Sequence, residues 1–332
     1  MAHAPITVVT TTYNYPEALR LAIKSALEQD EADFEYLIIG DCCTDETEEM
    51  VRSIGDPRIQ WHNLPENLGN QADVNRLALE MANGRLIAYL NHDDLWYREH
   101  LSTLRSCIED GGFDIAASLA LGISPPPHLH REVIGLPRMV GPDRKFRVHS
   151  MTSSVMHTSE SAKAAGSWKR WRESELVPTS EFFHRLRATS GNHAVVPLIT
   201  SLKFHSADRR DSYRLKDASE QEHWYEKMLM DDGLRHRELA AALMFRMMQI
   251  KTPKLKQQTR PEDAPAGWEI EQYRRLRGLE PDLAFGPVDD DLGEAAAIDY
   301  RAHGIVRRGE TDSLWLVDPV IGEAAMSNLE SL

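Results

Sequence analysis

Residues 86–94 read LIAYLNHDD, in which five apolar residues, Leu86 to Leu90, run directly into Asn91, His92, Asp93 and Asp94. A short unbroken apolar run bounded by polar residues reads as a strand buried on both faces. Two adjacent aspartates behind such a strand repel each other unless a cation or hydrogen-bond donors compensate them. Hard divalent cations favour that kind of oxygen ligand. Upstream, the same alternation of strand and helix repeats. Ile6 to Thr11 is a β-branched strand. Pro16 opens a helix with Leu19, Ala22, Ile23 and Ala26 on one face. Phe34 to Ile39 is a second strand and Arg58 to Asn63 a weaker third. Val74, Leu77, Ala78 and Met81 give the segment Gln71 to Ala82 a 3.6-residue period, and Gly84 stops that helix.

Strand–helix alternation with short links predicts an α/β fold: a Rossmann-like, mostly parallel central sheet flanked by helices. Ligands of such sheets sit beyond the carboxyl ends of the strands. The polar residues there are Thr11, Thr12, Tyr13 and Asn14, then Asp41, Thr44 and Asp45, then Asn91 to Asp94. Each has a plainer reading. Asp45, with Glu48 three residues on, reads as a helix cap, Asp94 equally as the cap of the next helix, and Tyr13 as a packing aromatic.

The chain has 332 residues, 42% of them hydrophobic and 27% charged, an ordinary globular composition. With 52 acidic against 38 basic residues the formal charge is −14, which argues against a broad grip on nucleic acid. The three cysteines, Cys42, Cys43 and Cys107, form neither a disulfide framework nor a zinc pair, and a reducing, cytoplasmic setting is expected. No secretory leader or membrane span is evident, so at most peripheral membrane contact is expected. Two further strands are expected at Asp114 to Ile123 and Val195 to Phe204. Beyond Glu220 the chain turns helical, with a stripe at Leu239, Leu243, Met247 and Ile250, a linker from Thr252 to Gly267, and a short helix from Trp268 to Leu279. The expected division is a sheet domain over 1–213 and a helical region over 214–332.

Taken together, ITVVTTTYN (6–14), LIIGDCCTDET (37–47) and the run from Glu66 to Asp94 resemble the family 2 glycosyltransferases of the GT-A fold. There the first strand ends in a Pro-Thr-Tyr-Asn-like turn, the second in Asp, and an Asn-x-Gly element precedes the third helix. The fourth strand ends in Asp-x-Asp. The resemblance covers about the first third of the chain, and its order and spacing are more specific than any one motif. It implies transfer of a sugar from a UDP- or GDP-linked donor to a carbohydrate, lipid-linked or protein acceptor, with Mn2+ or Mg2+ as cofactor. Thr11, Thr12, Tyr13 and Asp41 would line the nucleoside pocket, with Asn67 and Gly69 beside it and Arg76 facing the donor. Asp93 would hold the metal, with Asp94 nearby.

Asn91 stands where the family usually has Asp. It would bring an amide oxygen to the metal without charge, with His92 available to share the load, or it would mark an inactive sugar-nucleotide-binding or scaffolding protein, the alternative reading. Ser180-Glu181, with Arg187 six residues on, resembles the family's acidic pair and makes Glu181 the expected general base. Its plain reading is a helix N-terminal acid. His205, after a late strand, would complete the metal site. Arg209 and Arg210 would bind the diphosphate, unless they are solvated loop charges. The C-terminal helices are expected to shape the acceptor site, pair a homodimer or rest on a membrane.

Overall fold

The computed structural model describes residues 5–125, 131–136, 138–140, 145–147, 150–174, 176–205, 208–247, 261 and 264–279. Four strands are parallel neighbours in the order β3 (Ile59–Asn63), β2 (Phe34–Gly40), β1 (Ile6–Thr12), β4 (Leu86–Tyr89). The helices between them are α1 (Pro16–Leu27), α2 (Thr47–Ile54) and α3 (Gln71–Met81). This is the expected half of the sheet, each element within a residue or two of its sequence reading. Gly84 is required here because a Cβ would lie 2.4 Å from the Thr7 amide.

Beyond β4 the sheet mixes directions. β10 (Val155–Thr158) is antiparallel to both β4 and β6 (Ile115–Ile123). β11 (His193–Phe204) runs parallel to β6, and the two-residue β5 (Leu95–Trp96) pairs antiparallel with β11. β7 (Arg131–Ile134) flanks β6, while β8 (Arg138–Val140) and β9 (Lys145–Arg147) form a separate hairpin. Helices α4 (His100–Glu109), α5 (Ser159–Ala165) and α6 (Pro178–Ser190) belong to this half. They are followed by α7 (Ser212–Leu215), α8 (Ser219–Met230), α9 (Leu234–Met247) and α10 (Trp268–Leu276).

Strand alternation divides the core. Ile6, Val8, Tyr36, Ile38 and Leu86 pack with α1 and α4, while Val9, Ile39, Ile87 and Tyr89 pack with α3 and α6. A third cluster joins Leu119, Leu121, Leu202 and Phe204 of the far strands to Trp224, Tyr225, Leu234 and Ala242 of α8 and α9. The stripe expected on α9 is kept only in part: Leu239 packs against this cluster. Leu243 and Met247 are exposed, Ile250 lies outside the described residues, and the buried face carries Leu234, Glu238, Ala242 and Phe245. The cause is Glu238, which is drawn into the core by Arg131 of β7 at 2.8 Å. Most of the expected linker from Thr252 to Gly267 lies outside the described residues. Among the described residues no helix is long and apolar enough to cross a membrane.

Two buried histidines brace the sheet. The His157 Nδ1–H donates to the Thr158 carbonyl at 2.9 Å, leaving Nε2 facing the Tyr89 hydroxyl at 3.1 Å. His100 stacks on Trp96 and lies 2.6 Å from the Thr200 hydroxyl. Burial lowers His157 to about 4 and His100 to about 3, from an ordinary value of 6.5. Below pH 6.5 the unfolded chain therefore takes up protons that the native state refuses, so stability falls as pH falls. The slope expected for the pair is about 2.7 kcal/mol per pH unit. Urea denaturation between pH 6 and pH 4.5 should show a falling midpoint, and a constant midpoint would contradict the assignment.

Candidate active site

The carboxyl ends of β1, β2, β4 and β11 open onto one cavity of about 930 Å³. Of the residues expected there, Thr11, Thr12, Tyr13, Asp41, Asn67, Gly69, Asn91, Asp93 and His205 all line it. One end is organised by Asp41. Its carboxylate accepts the backbone amides of Leu68 (2.6 Å) and Gly69 (2.9 Å), and its carbonyl accepts the Asn67 side-chain amide (2.8 Å). Burial pushes Asp41 upward, against those two amides and Arg274. The Asn-x-Gly element is thus a loop folded onto the end of β2, and Gly69 turns it at φ +82.

The other end is built at the turn from β4 into β5. Because β5 pairs with β11 at Ser201 and Leu202, the next residues of β11 fall beside the two aspartates. Asp94 has no solvent exposure. It accepts hydrogen bonds from Ser153 Oγ (2.5 Å), Asn91 Nδ2 (2.9 Å) and the Phe204 amide (3.1 Å), and both its oxygens lie 3.1 Å from Lys203 Nζ. It does not line the cavity; it fixes the turn. Asn91 is explained by the same contact. An acid there would face a buried carboxylate, whereas the amide donates to it, and Asn91 Oδ1 accepts no hydrogen bond among the described residues.

Asp93 differs in every respect. It lines the cavity, is 8% exposed, and accepts no hydrogen bond among the described residues. Its nearest cation is Lys203 Nζ at 3.8 Å. Burial works to raise its pKa, but Lys203, with smaller contributions from His92, Arg277 and Arg209, holds it below the ordinary carboxylate value. His92 is not open to a metal. Its Nδ1–H points to the Thr11 carbonyl (3.1 Å), its Nε2 faces the Tyr213 hydroxyl (3.2 Å), and its ring lies between Tyr15 and Tyr213.

A divalent cation at this end would find the Asp93 carboxylate, Asn91 Oδ1 and, farther along the wall, His205. Among the described residues no group of three or more His, Cys, Asp or Glu forms a ready cage. That sparse donor set suits an ion that keeps its waters and shares itself with substrate phosphates.

Besides Asp94, four expected residues are placed elsewhere. Arg76 turns toward Glu80 at 3.3 Å. Arg209 is held by Glu220 (2.8 Å) and by the carbonyls of His205 and Ile123, so it anchors the loop after β11. Arg210 lies outside the cavity lining, half exposed beside Asp211. Glu181 points away from the cavity, toward Arg185 (2.9 Å) and Lys169 (3.2 Å). Although burial opposes them, those partners lower its pKa. The cavity face of α6 carries Ser180, His184 and Arg187 instead. The sequence reading did not single out Lys203, Tyr213, Glu132, Arg274 and Arg277, which also line the cavity. Of these, only Lys203 leaves a local sign, as a lone cation inside the apolar strand run ITSLKF.

Loop-bound carboxylates at strand ends around one cleft are the arrangement of a ligand-binding α/β protein. Residues 7–154 match the family model described as Glycosyl transferase family 2. The Bacillus subtilis putative teichuronic acid biosynthesis glycosyltransferase TuaG is 35% identical over 98 residues, 29% of this chain and 38% of its own. The Escherichia coli UDP-Glc:alpha-D-GlcNAc-diphosphoundecaprenol beta-1,3-glucosyltransferase WfaP is 31% identical over 98 residues, again 29% and 38%. The chain thus spans less than two fifths of the length of these relatives. The crystal structure of S. aureus TarS 1–349 matches with a TM-score of 0.53 at 17% identity, covering 94% of each chain, a likeness of fold. The similarity to glycosyltransferase family 2 thus covers residues 7–154, and the fold is GT-A-like.

The two aspartates should separate on substitution. Asp94→Ala strands Lys203 and the donors of Ser153, Asn91 and Phe204, so a loss of about 3–5 kcal/mol in urea denaturation is expected. Asp93→Asn removes no hydrogen bond and should leave the midpoint nearly unchanged. Equal losses in both variants would contradict this division of roles.

Proposed function

We propose that the protein transfers a sugar from a nucleoside diphosphate donor to an acceptor hydroxyl. The observation that carries this reading is the buried, unbonded Asp93 carboxylate, with Lys203 beside it, at the end of β4 in the same cavity as the Asp41-bound loop. A nucleoside would lie along Thr11, Thr12, Tyr13 and the Asn67–Gly69 loop, with its diphosphate toward Asp93. The family match over 7–154 supports the reaction class, and the donor and acceptor in the name of WfaP support a UDP-sugar and a lipid-diphosphate-linked acceptor. Asn91 does not favour an inactive binder, because its amide is the partner Asp94 needs.

The leaving diphosphate gains negative charge as the glycosidic bond breaks, and a site preset with compensating charge lowers that barrier. A divalent cation held by Asp93 and Asn91 would neutralise part of this charge when bound. Lys203 is already fixed there by Asp94 and needs no reorganisation. The acceptor hydroxyl must lose a proton as it attacks, and a carboxylate is suited to take it. Glu132 and Asp208 face the cavity and are the proposed candidates for that base, whereas Glu181 is turned to Arg185. Attack opposite the leaving group would invert the anomeric centre.

Thermal melts with UDP, GDP and dTDP, each with and without manganese, test the reading. One diphosphate at a hundredfold excess over its Kd should stabilise the protein by about 2.7 kcal/mol. Its sugar conjugate should be turned over by wild type and by Glu181→Gln, and not by Asp93→Ala. Absence of any nucleotide effect, or full turnover by Asp93→Ala, would contradict it.

A further inference from the structure

Helix α10 lies well beyond the segment that matches the family, yet Ile270, Tyr273, Arg274 and Arg277 line the cavity. The helix is seated firmly. Arg274 donates to the Gly69 carbonyl, and Glu271, fully buried, lies 3.7 Å from Arg274 and 3.4 Å from Arg275. The amide of Asp211 donates to the Leu276 carbonyl (3.0 Å), and that of Tyr213 to the Arg277 carbonyl (3.2 Å). These contacts set α10 across the cavity. Arg274 stands at the Asp41 loop, and Arg277, one turn on, stands toward the Asp93 end.

The two arginines differ in what they do. Arg274 is tied to the loop and to Glu271. Arg277 has no ion pair and no side-chain hydrogen bond among the described residues, and its Nε is shielded from solvent without an acceptor. Its guanidinium carbon lies 5.8 Å from the centre of the Tyr273 ring. An Nε–H shielded in this way has given up water without gaining a partner, which is costly unless a ligand supplies the acceptor. Its charge also reaches the site: it helps hold Asp93 ionised and acts against the protonation of Lys203. With Lys203, it sets two cations near the Asp93 carboxylate. A planar fork of donors matches two oxygens of a phosphate group.

We propose that Arg277 binds the distal phosphate of the donor diphosphate, so that α10 completes the leaving-group site from outside the family segment. This assignment rests on the glycosyl-transfer reading. Its chemistry is that of a nucleoside diphosphate, with the nucleoside at the Asp41 loop and the distal phosphate between Arg277, Lys203 and the Asp93 end.

Calorimetry with UDP and UMP, and with GDP and GMP, each with manganese, compares wild type, Arg277→Gln and Arg277→Lys. Wild type should prefer one diphosphate over its monophosphate. In Arg277→Gln that preference should shrink by about ten- to hundredfold with the monophosphate affinity kept, and Arg277→Lys should recover part of it. A merely structural Arg277 would weaken both nucleotides together and lower the melting temperature without ligand, and that result overturns the assignment. An unchanged preference in Arg277→Gln overturns it as well, leaving the glycosyl-transfer reading in place. A wild type that binds none of the four nucleotides overturns both.

Discussion

The site depends on one shared ammonium. Lys203 Nζ lies 3.1 Å from both oxygens of Asp94 and 3.8 Å from Asp93, so a single cation serves two adjacent carboxylates. Asp94 is fully supplied and silent, while Asp93 keeps its charge and its free lone pairs. Sheet topology creates this difference. The two-residue strand β5 doubles back from the turn to pair with β11, and that pairing delivers Lys203 and the Phe204 amide to Asp94. Without it, the two aspartates would repel across a dry turn. With it, one of them is poised at the rim of the cavity.

The first half of the fold was legible because its signals are local. Apolar runs such as ITVVTT and LIAYL can be only buried strands in a chain whose intervening segments carry a 3.6-residue period, and Gly84 marks a real close approach. Asp41 and Asp93 were legible as cavity-lining residues because strand ends in such sheets face the ligand side, and Asn67 and Gly69 through the family resemblance. The departure at Asn91 was visible, but its meaning was not. Only the packed structure brings its amide to Asp94.

What was not legible depends on contacts distant in sequence. Glu181 occupies a plausible motif position, yet the helix turns it to Arg185 one turn away and presents Ser180 and His184 to the cavity. Arg209 follows His205 by four positions and reads as an anion ligand, but Glu220 takes its guanidinium. The α9 stripe was misplaced in part because hydrophobicity alone ignores Glu238, which Arg131 carries into the core. Arg274 and Arg277 sit in a helix whose charges look like a solvated surface. Nothing in that stretch announces that Gly69, more than 200 positions earlier, lies beneath it.

The proposed binding mode puts the base end of a nucleoside diphosphate at the Asp41 loop and its phosphates at the Asp93–Lys203 end. A crystal structure of the protein grown with UDP and manganese tests it most directly. The expected result is a distal phosphate within hydrogen-bond distance of Lys203 or Arg277, a cation on Asp93, and Asp94 unmoved beneath them. A nucleotide bound with its phosphates away from the end of β4, or a cation seated on Asp94 in place of Lys203, would contradict it.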